Sequence, residues 1–485
     1  MTLATLAAAC GASLRGADVD VVGITHVAQA VRLGWIFAAL PGQHRHGIEF
    51  APEALAHGAV AVLSDRDPGR GIPWLSALQP RRATALAAWA LAGHPERRLR
   101  MVGVTGTNGK TTVVDLIGRI AAEAGERVGI FGTLGYTLPN RSERGVRTTP
   151  EAPDLAPLLV ELADGGGAVA AMEVSSHALA LDRVAGLEFD VAVWTNLTRD
   201  HLDFHADLEA YYATKASLGE LLRRDPPGRR VIGLDDPFMA RLAASPRAGD
   251  LTFGFGSSCA ITAVQAMPDF EGTTLRMRTP GQETQLRLPL VGRHNVRNAL
   301  AAAATAVALG WPQDAIVQGL ARAEPLPGRL EPVVVGTPFP VFVDYAHTPD
   351  GLEQVLLALR EVGDRRLVVV FGCGGDRDPG KRVPMGETVG RLADVPIVTT
   401  DNPRSEDPQV IIGQILEGVR ASGNPRALAI PDRREAIAAA LSLADERCLV
   451  LIAGKGHETE QILADRVVPF DDRVVVRELA QRRRS

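Results

Sequence analysis

Short apolar runs alternate with stretches of helical periodicity along most of the 485 residues. In the first hundred residues, strand-like runs fall at 19–24, 35–40 and 59–63, with helical patterns at 53–57 and 82–91. The polar stretch 93–98, which carries a glycine and a proline, reads as a linker. Apolar runs follow at 100–104, 128–133, 168–174 and 190–194, separated by helical stretches such as 113–120. Buried runs spaced by helices predict a mostly parallel sheet covered on both faces. After a run at 231–235, residues 251–256 and the alternating 273–287 predict an antiparallel extension, and 298–310 a helix ended by Gly310. A third set of strands at 341–344, 367–371, 397–400 and 449–453, with helices such as 409–420 between them, predicts a second open α/β unit.

The expected fold is therefore α/β in three domains: a small N-terminal one over 1–98, a central one over 99–326 with a parallel or mixed sheet, and a third over 327–485. The length agrees, at about 150 residues per domain. A chain that is 46% hydrophobic and 22% charged is of the water-soluble globular class. A net charge of -5 argues against nucleic-acid binding as the main function. The four cysteines are dispersed and form no C-x-x-C pair, which fits reduced thiols in a cytoplasmic protein. No apolar run reaches membrane-spanning length, and the opening residues 1–10 lack the basic segment of an export signal.

The chemistry begins at residues 103–112. A short apolar strand leads into Gly103, Gly106 and Gly109, then Lys110, Thr111 and Thr112, and a helix follows. Such a loop points backbone N–H groups and a helix N-terminus at one anion. Lys110 would reach the terminal phosphates of a nucleotide, and the Thr111 hydroxyl would ligate Mg²⁺. The glycines do not fall at the usual offsets of a phosphate loop; the form is a shortened variant. Glu173 closes a buried strand, where a carboxylate either holds Mg²⁺ or is simply solvated. Residues 195–205 crowd Arg199, Asp200, His201, Asp203 and His205 into one loop after another apolar strand. No H-E-x-x-H and no nearby cysteine accompany them, which argues against structural zinc.

Taken in order, the segments 105–112, 173–177, 195–205 and 295–298 resemble the Mur ligase family, ATP-dependent amino-acid ligases of peptidoglycan synthesis. Segments 344–349, 372–378, 401–404 and 454–458 extend the resemblance over nearly the whole chain. It implies a UDP-binding first domain, a P-loop ATPase-like central domain and a Rossmann-like third. Gly106, Thr107, Asn108, Gly109, Lys110, Thr111 and Thr112, with Asn295, Asn298, Arg329, Asp344, Tyr345 and His347, are then the expected ATP contacts. Thr111, Glu173, His201 and a carbamylated Lys215 are the expected Mg²⁺ ligands; without the resemblance, Lys215 would read as a plain helix-surface lysine. Lys110, Glu173, His201 and Lys215 form the implied catalytic set.

Thr148, Thr149, Ser175 and Arg183 match contacts to a UDP-N-acetylmuramoyl dipeptide. Arg377, Asp401, Asn402, Pro403, Arg404, Gly454 and Glu458 match contacts to a diamino acid. Arg404 suits a distal carboxylate, so meso-diaminopimelate is implied; L-lysine and L-ornithine remain the alternatives. A monomer working on small molecules, with ATP and Mg²⁺ and without nucleic acid, completes the expectation. The chain departs from the family in the first domain: Val27, Ala28 and Gln29 replace an Asp-Ser-Arg signature, His46, Gly47 and Ile48 replace Asp-Gly-His, and Leu181 replaces a glutamine. Other groups grip the uridine diphosphate, or the acceptor is different, as in folylpolyglutamate- or cyanophycin-type ligases. A non-catalytic nucleotide-binding regulator is disfavoured by the intact Lys110, Glu173, His201 and Lys215.

Overall fold

The computed structural model describes residues 1–42, 45–69, 71–145 and 147–482. Three large sheets and one two-stranded ribbon, Glu460–Ile462 with Val467–Pro469, make up the described strands. The first has five strands in the order Ser13–Arg15, Trp74–Ser76, Ala59–Ser64, Trp35–Ala38, Gly23–Thr25. The expected run 19–24 is strand only at its end, because Val19 and Val21 instead bond to the helix Leu3–Cys10 and the residues before it. That helix is capped by the Thr2 hydroxyl and buries Leu3, Leu6, Ala7 and Cys10.

The second sheet has eleven strands. At its centre Arg100–Thr105 lies parallel between Val169–Glu173 and Val191–Trp194. In register, Glu173 pairs with Val104 and Trp194 with Thr105. Three strand ends, and the loops that leave them, therefore meet at one carboxyl edge. That is where open α/β sheets place their sites. The alternating stretch 273–287 is two strands, Gly272–Thr279 and Gln282–Leu288, turned by Gly281 at φ 82. With Ile261–Asp269 they form the antiparallel wing.

The third sheet has six strands, and Val341–Asp344, Cys448–Ala453, Arg366–Phe371 and Val395–Val398 are parallel neighbours. Asp344 pairs with Ala453 at its carboxyl edge. The expected limit of this unit at 485 falls among 483–485, outside the described residues.

The stretch 93–98 is not a free linker. It is a 3-10 turn, Pro95–Arg98, with Pro95 and Glu96 buried. One apolar core runs through it, joining Leu3, Ile36 and Trp89 to Leu155, Phe189 and Trp194. Trp89 Nε1 donates to Ala185 O at 2.9 Å across that junction. The third unit is more separate: its core around Leu356 and Phe371 takes one buried residue, Val291, from before residue 327.

Candidate active site

The loop after Arg100–Thr105 is shaped by two glycines that tolerate no side chain. A Cβ on Gly106 (φ 150) would lie 1.8 Å from Thr195 Oγ1, and one on Gly109 (φ 89) 2.3 Å from Asn298 Oδ1. Residues 195–196 staple the loop. Thr107 N donates to Asn196 O and Asn108 N to Asn196 Oδ1, both at 2.9 Å, while Thr195 Oγ1 donates to Asn108 O at 2.7 Å. The first-turn N–H groups of Lys110–Glu123 have no intrahelical acceptor and no side-chain cap from Gly109, an arrangement suited to an anion. Lys110 Nζ spans the loop, donating to Gly106 O and Thr107 O at 2.9 Å each.

Four ionisable groups, Glu173, Asp200, His201 and Lys215, surround it. Glu173 is 1% exposed, and its Oε1 accepts from Thr133 N at 2.7 Å. His201 sits in left-handed backbone (φ 55), 3.4 Å from Asp200. Burial pushes its imidazole down to about 3 in spite of Asp200, leaving a neutral ring with a lone pair to give. For Asp200, burial alone would raise the pKa, but His201, His347 and Lys381 together hold it at about 2. Lys215 is 1% exposed; its Nζ donates to the same Gly106 O at 2.8 Å and lies 4.5 Å from the Tyr211 ring centre. Burial and then repulsion by Lys110 push its pKa far down, towards the neutral amine.

Among the described residues no group of three or more His, Cys, Asp or Glu side chains gathers tightly enough to hold a metal alone. Glu173, His201 and Thr111 nevertheless line the same cavity. The donors fit a hard divalent ion that draws further ligands from phosphate oxygens and water.

That cavity measures about 360 Å³. Thr107 to Thr112, Thr148, Glu173, Ser175, His201, Asn295, Asn298, Arg329, Asp344, Tyr345 and His347 all line it. Gly106, Thr149, Arg183 and Lys215 stand behind its wall. Thr149 Oγ1 donates to Glu173 O at 2.9 Å and accepts from Ser175 N at 3.0 Å, and Arg183 Nη1 donates to Thr149 O at 3.1 Å. Arg329 reaches back from the third unit: Nη2 donates to Thr111 Oγ1 at 3.3 Å, and the guanidinium lies 4.6 Å from the Tyr345 ring centre. Its Nε is buried with no hydrogen-bond partner among the described residues, which leaves a donor to spare. Asp344 fixes the crossing by accepting from Leu330 N and Ala346 N, both at 2.6 Å. Asn295 Nδ2 donates to Val291 O, and Asn298 Nδ2 to Asn295 Oδ1.

The second group of expected residues forms a separate cluster at the carboxyl edge of the third sheet. Asn402 Nδ2 donates to Glu458 Oε2 at 2.8 Å. Arg404 (φ 52) donates from Nη1 to Gly375 O at 2.7 Å, and Pro403 O closes on Gly375. Arg377 is exposed, and its Nη1 donates to Asp376 O at 2.8 Å. Gly454 (φ 113) lets the chain pass Asp401, whose Oδ2 a Cβ would meet at 2.7 Å. The cluster adjoins the cavity: Gly456 packs on Tyr345, and Arg199 Nε donates to Asp378 Oδ2 at 3.3 Å.

A second cavity, about 340 Å³, opens in the first unit between Val27, Ala28, Gln29, Phe37 and Phe50. Arg45, Arg81 and Arg147 bring three guanidinium groups to it. Glu151 at its edge pairs with Arg147 at 3.1 Å and with Arg183 at 3.0 Å. The segment holding Thr148 and Thr149 thus bridges the two cavities.

Known proteins match this architecture. The Mur ligase middle domain profile covers residues 104–306, and the profile for the glutamate ligase domain of Mur ligases covers 328–456. The UDP-N-acetylmuramoyl-L-alanyl-D-glutamate--2,6-diaminopimelate ligase of Solibacter usitatus is 42% identical, over 96% of this chain and 94% of its own. This chain belongs to the Mur ligase family. Like its relatives, this Mur ligase is an ATP-dependent, amide-bond-forming enzyme. A solved structure of a UDP-N-acetylmuramoyl-L-alanyl-D-glutamate--2,6-diaminopimelate ligase superposes with a TM-score of 0.66 at 33% identity, over 96% of each chain. A Mur ligase from Thermotoga maritima in complex with ADP shares the fold at 18% identity (TM-score 0.67, 96% and 98% covered).

Several residues of this Mur ligase site escape sequence reasoning. Asp350 accepts from Asn108 Nδ2 at 2.8 Å, tying the third unit to the phosphate loop. Thr133 holds Glu173, and Arg297 pairs with Asp235 at 2.9 Å on the cavity wall. Thr133 and Asp350 lie in no motif, and Arg297 falls inside the segment 295–298 without having been assigned a role. Asp350 alone carried a signal: an acid in the first turn of Pro349–Glu361, two residues after the Thr348 cap.

Proposed function

We propose that this enzyme joins meso-diaminopimelate to UDP-N-acetylmuramoyl-L-alanyl-D-glutamate, driven by ATP, in the cytoplasm. The observation that carries the reading is the order of the three sites. An arginine-rimmed cavity leads past Thr148 and Ser175 into the phosphate-loop cavity, and Arg404 stands across the seam. The sugar nucleotide's diphosphate takes Arg45, Arg81 and Arg147, contacts that Val27 and Gln29 cannot supply. Its peptide runs along 148–151, bringing the terminal carboxylate to Lys110.

There the carboxylate attacks the γ-phosphorus, ADP leaves, and the amine of the second substrate displaces phosphate from the acyl phosphate. Lys110 and the first-turn N–H groups balance charge on the transferring phosphoryl group, and Arg329 adds a donor from the third unit. Thr111, Glu173, His201 and Lys215, the last as a carbamate, would hold Mg²⁺, which supplies charge neutralisation at the phosphates. The neutral Lys215 amine is the form that adds CO₂, releasing one proton and giving an anionic side chain. Arg404 selects the distal carboxylate of the amino acid, and Asn402 with Glu458 receives the distal ammonium.

Purified enzyme given ATP, the UDP-muramoyl dipeptide and a panel of amino acids is expected to release phosphate fastest with meso-diaminopimelate. Equal or faster turnover with L-lysine or L-ornithine would overturn the amino-acid assignment. Turnover only with a non-UDP acceptor would overturn the acceptor.

A further inference from the structure

Lys455 is fully buried, and it takes no part in the steps of phosphoryl transfer and amide formation. It lies between two glycines in left-handed backbone, Gly454 (φ 113) and Gly456 (φ 55), which turn the chain so that the lysine points inward. Neither glycine can be replaced without collision, Gly454 with Asp401 and Gly456 with Tyr345, so the turn is held on both sides. The Lys455 ammonium donates to Asn402 Oδ1 at 2.9 Å and to Glu458 Oε2 at 3.1 Å, and stands 3.8 Å from Asp401 Oδ1. Asn402 Oδ1 also accepts from Ile462 N at 3.0 Å, which orients the amide so that its Nδ2 faces Glu458.

Resting on the proposed function, we infer that Lys455 is the positioning residue that sets amino-acid selectivity. It does so through charge balance. Asp401 and Glu458 bring two negative charges, and Lys455 returns one positive. Arg433, a neighbouring cation, is already matched by Asp472 at 2.7 Å in a fully buried pair. The cluster therefore carries one net negative charge, enough for one distal ammonium. Arg404 carries the positive charge for one distal carboxylate. The pair complements a zwitterionic side-chain end. Without Lys455 the cluster would hold two negative charges and an unanchored Asn402, a surface suited to a purely cationic end such as that of lysine.

The test is steady-state kinetics of Lys455→Met with meso-diaminopimelate and with L-lysine. Loss of a charge-assisted bond of this kind is expected to raise the diaminopimelate KM about 10- to 100-fold. The ratio of kcat/KM for diaminopimelate over lysine should fall at least about tenfold, while the ATP KM stays within about twofold. Lys455→Arg, which keeps the charge, should restore most of the ratio. If Lys455→Met lowers turnover equally with both amino acids and leaves the ratio unchanged, Lys455 is only structural and the inference fails. A wild-type enzyme that prefers lysine overturns the diaminopimelate assignment instead, and the change of ratio on substitution still decides the role of Lys455. Should Lys455→Met not fold, Glu458→Gln reads the same balance from the other side. It should raise the ratio, and a fall or no change would overturn the inference.

Discussion

Replacing Gly109 with alanine forces a Cβ into left-handed backbone and onto Asn298 Oδ1. The backbone strain alone is about 1–2 kcal/mol. The expected result is an ATP KM raised about tenfold or more with the fold intact, read by kinetics beside circular dichroism. His205 governs a different property. It is buried, bonds to Ser176 Oγ at 3.0 Å, and has its pKa pushed down by burial from 6.5 to about 4. The unfolded chain therefore takes the proton first. Stability from this group is complete above about pH 6.5 and is lost as pH falls towards 4, by roughly 3 kcal/mol at most. His205→Asn should flatten the fall of Tm over that window; an unchanged slope would refute the assignment. At this scale the sequence was most legible where residues of separate motifs come to line one cavity, as Lys110, Glu173 and His201 do. It was mute where a role comes only from packing: nothing in its neighbours marks Thr133 as the group that orients Glu173, or Lys455 as buried.

The helix Pro80–Leu91 packs into the core that joins the first and second units. Trp89 is completely buried in the core shared by the first and second units, and Trp89→Ala is expected to destabilise the protein by about 3–5 kcal/mol. Urea unfolding followed by fluorescence and circular dichroism should show both units melting together. A separate early transition of the first unit would contradict a common core. Periodicity read the buried parallel strands well, since a short, wholly apolar run between two amphipathic helices can hide both its faces only inside a covered sheet. It failed at 93–98, where Gly, Pro and charge suggest a linker but Glu96 is buried within reach of His94 at 2.9 Å. It also passed over the hairpin turn at Gly281, and the short edge strands, whose pairing is decided by partners far along the chain.

Across the whole molecule, the phosphate loop is completed from the third unit by Arg329 and Asp350. Leu330, beside Arg329, holds an unfavourable left-handed conformation (φ 47), fixed by the Asp344 carboxylate. Arg329→Ala should weaken binding of a non-hydrolysable ATP analogue about tenfold or more, while titration with UDP stays unchanged. Calorimetry with the two ligands separates the effects, and equal losses in both would contradict a role confined to the seam. The three-unit plan was legible in the spacing of strands, but the closeness of the units was not, because contacts such as Asn108 with Asp350 join residues that no local pattern connects.

The unequal junctions have an evolutionary consequence. The first unit is fused through a continuous apolar interior to the second, so neither can be exchanged without rebuilding both. The third unit, to which the proposed function assigns the amino acid, meets them mainly through polar contacts, with Val291 buried and Phe270 partly buried against its core. Lineages could therefore change the wall's third residue by altering or swapping that one cassette, leaving the phosphate-handling machinery as inherited.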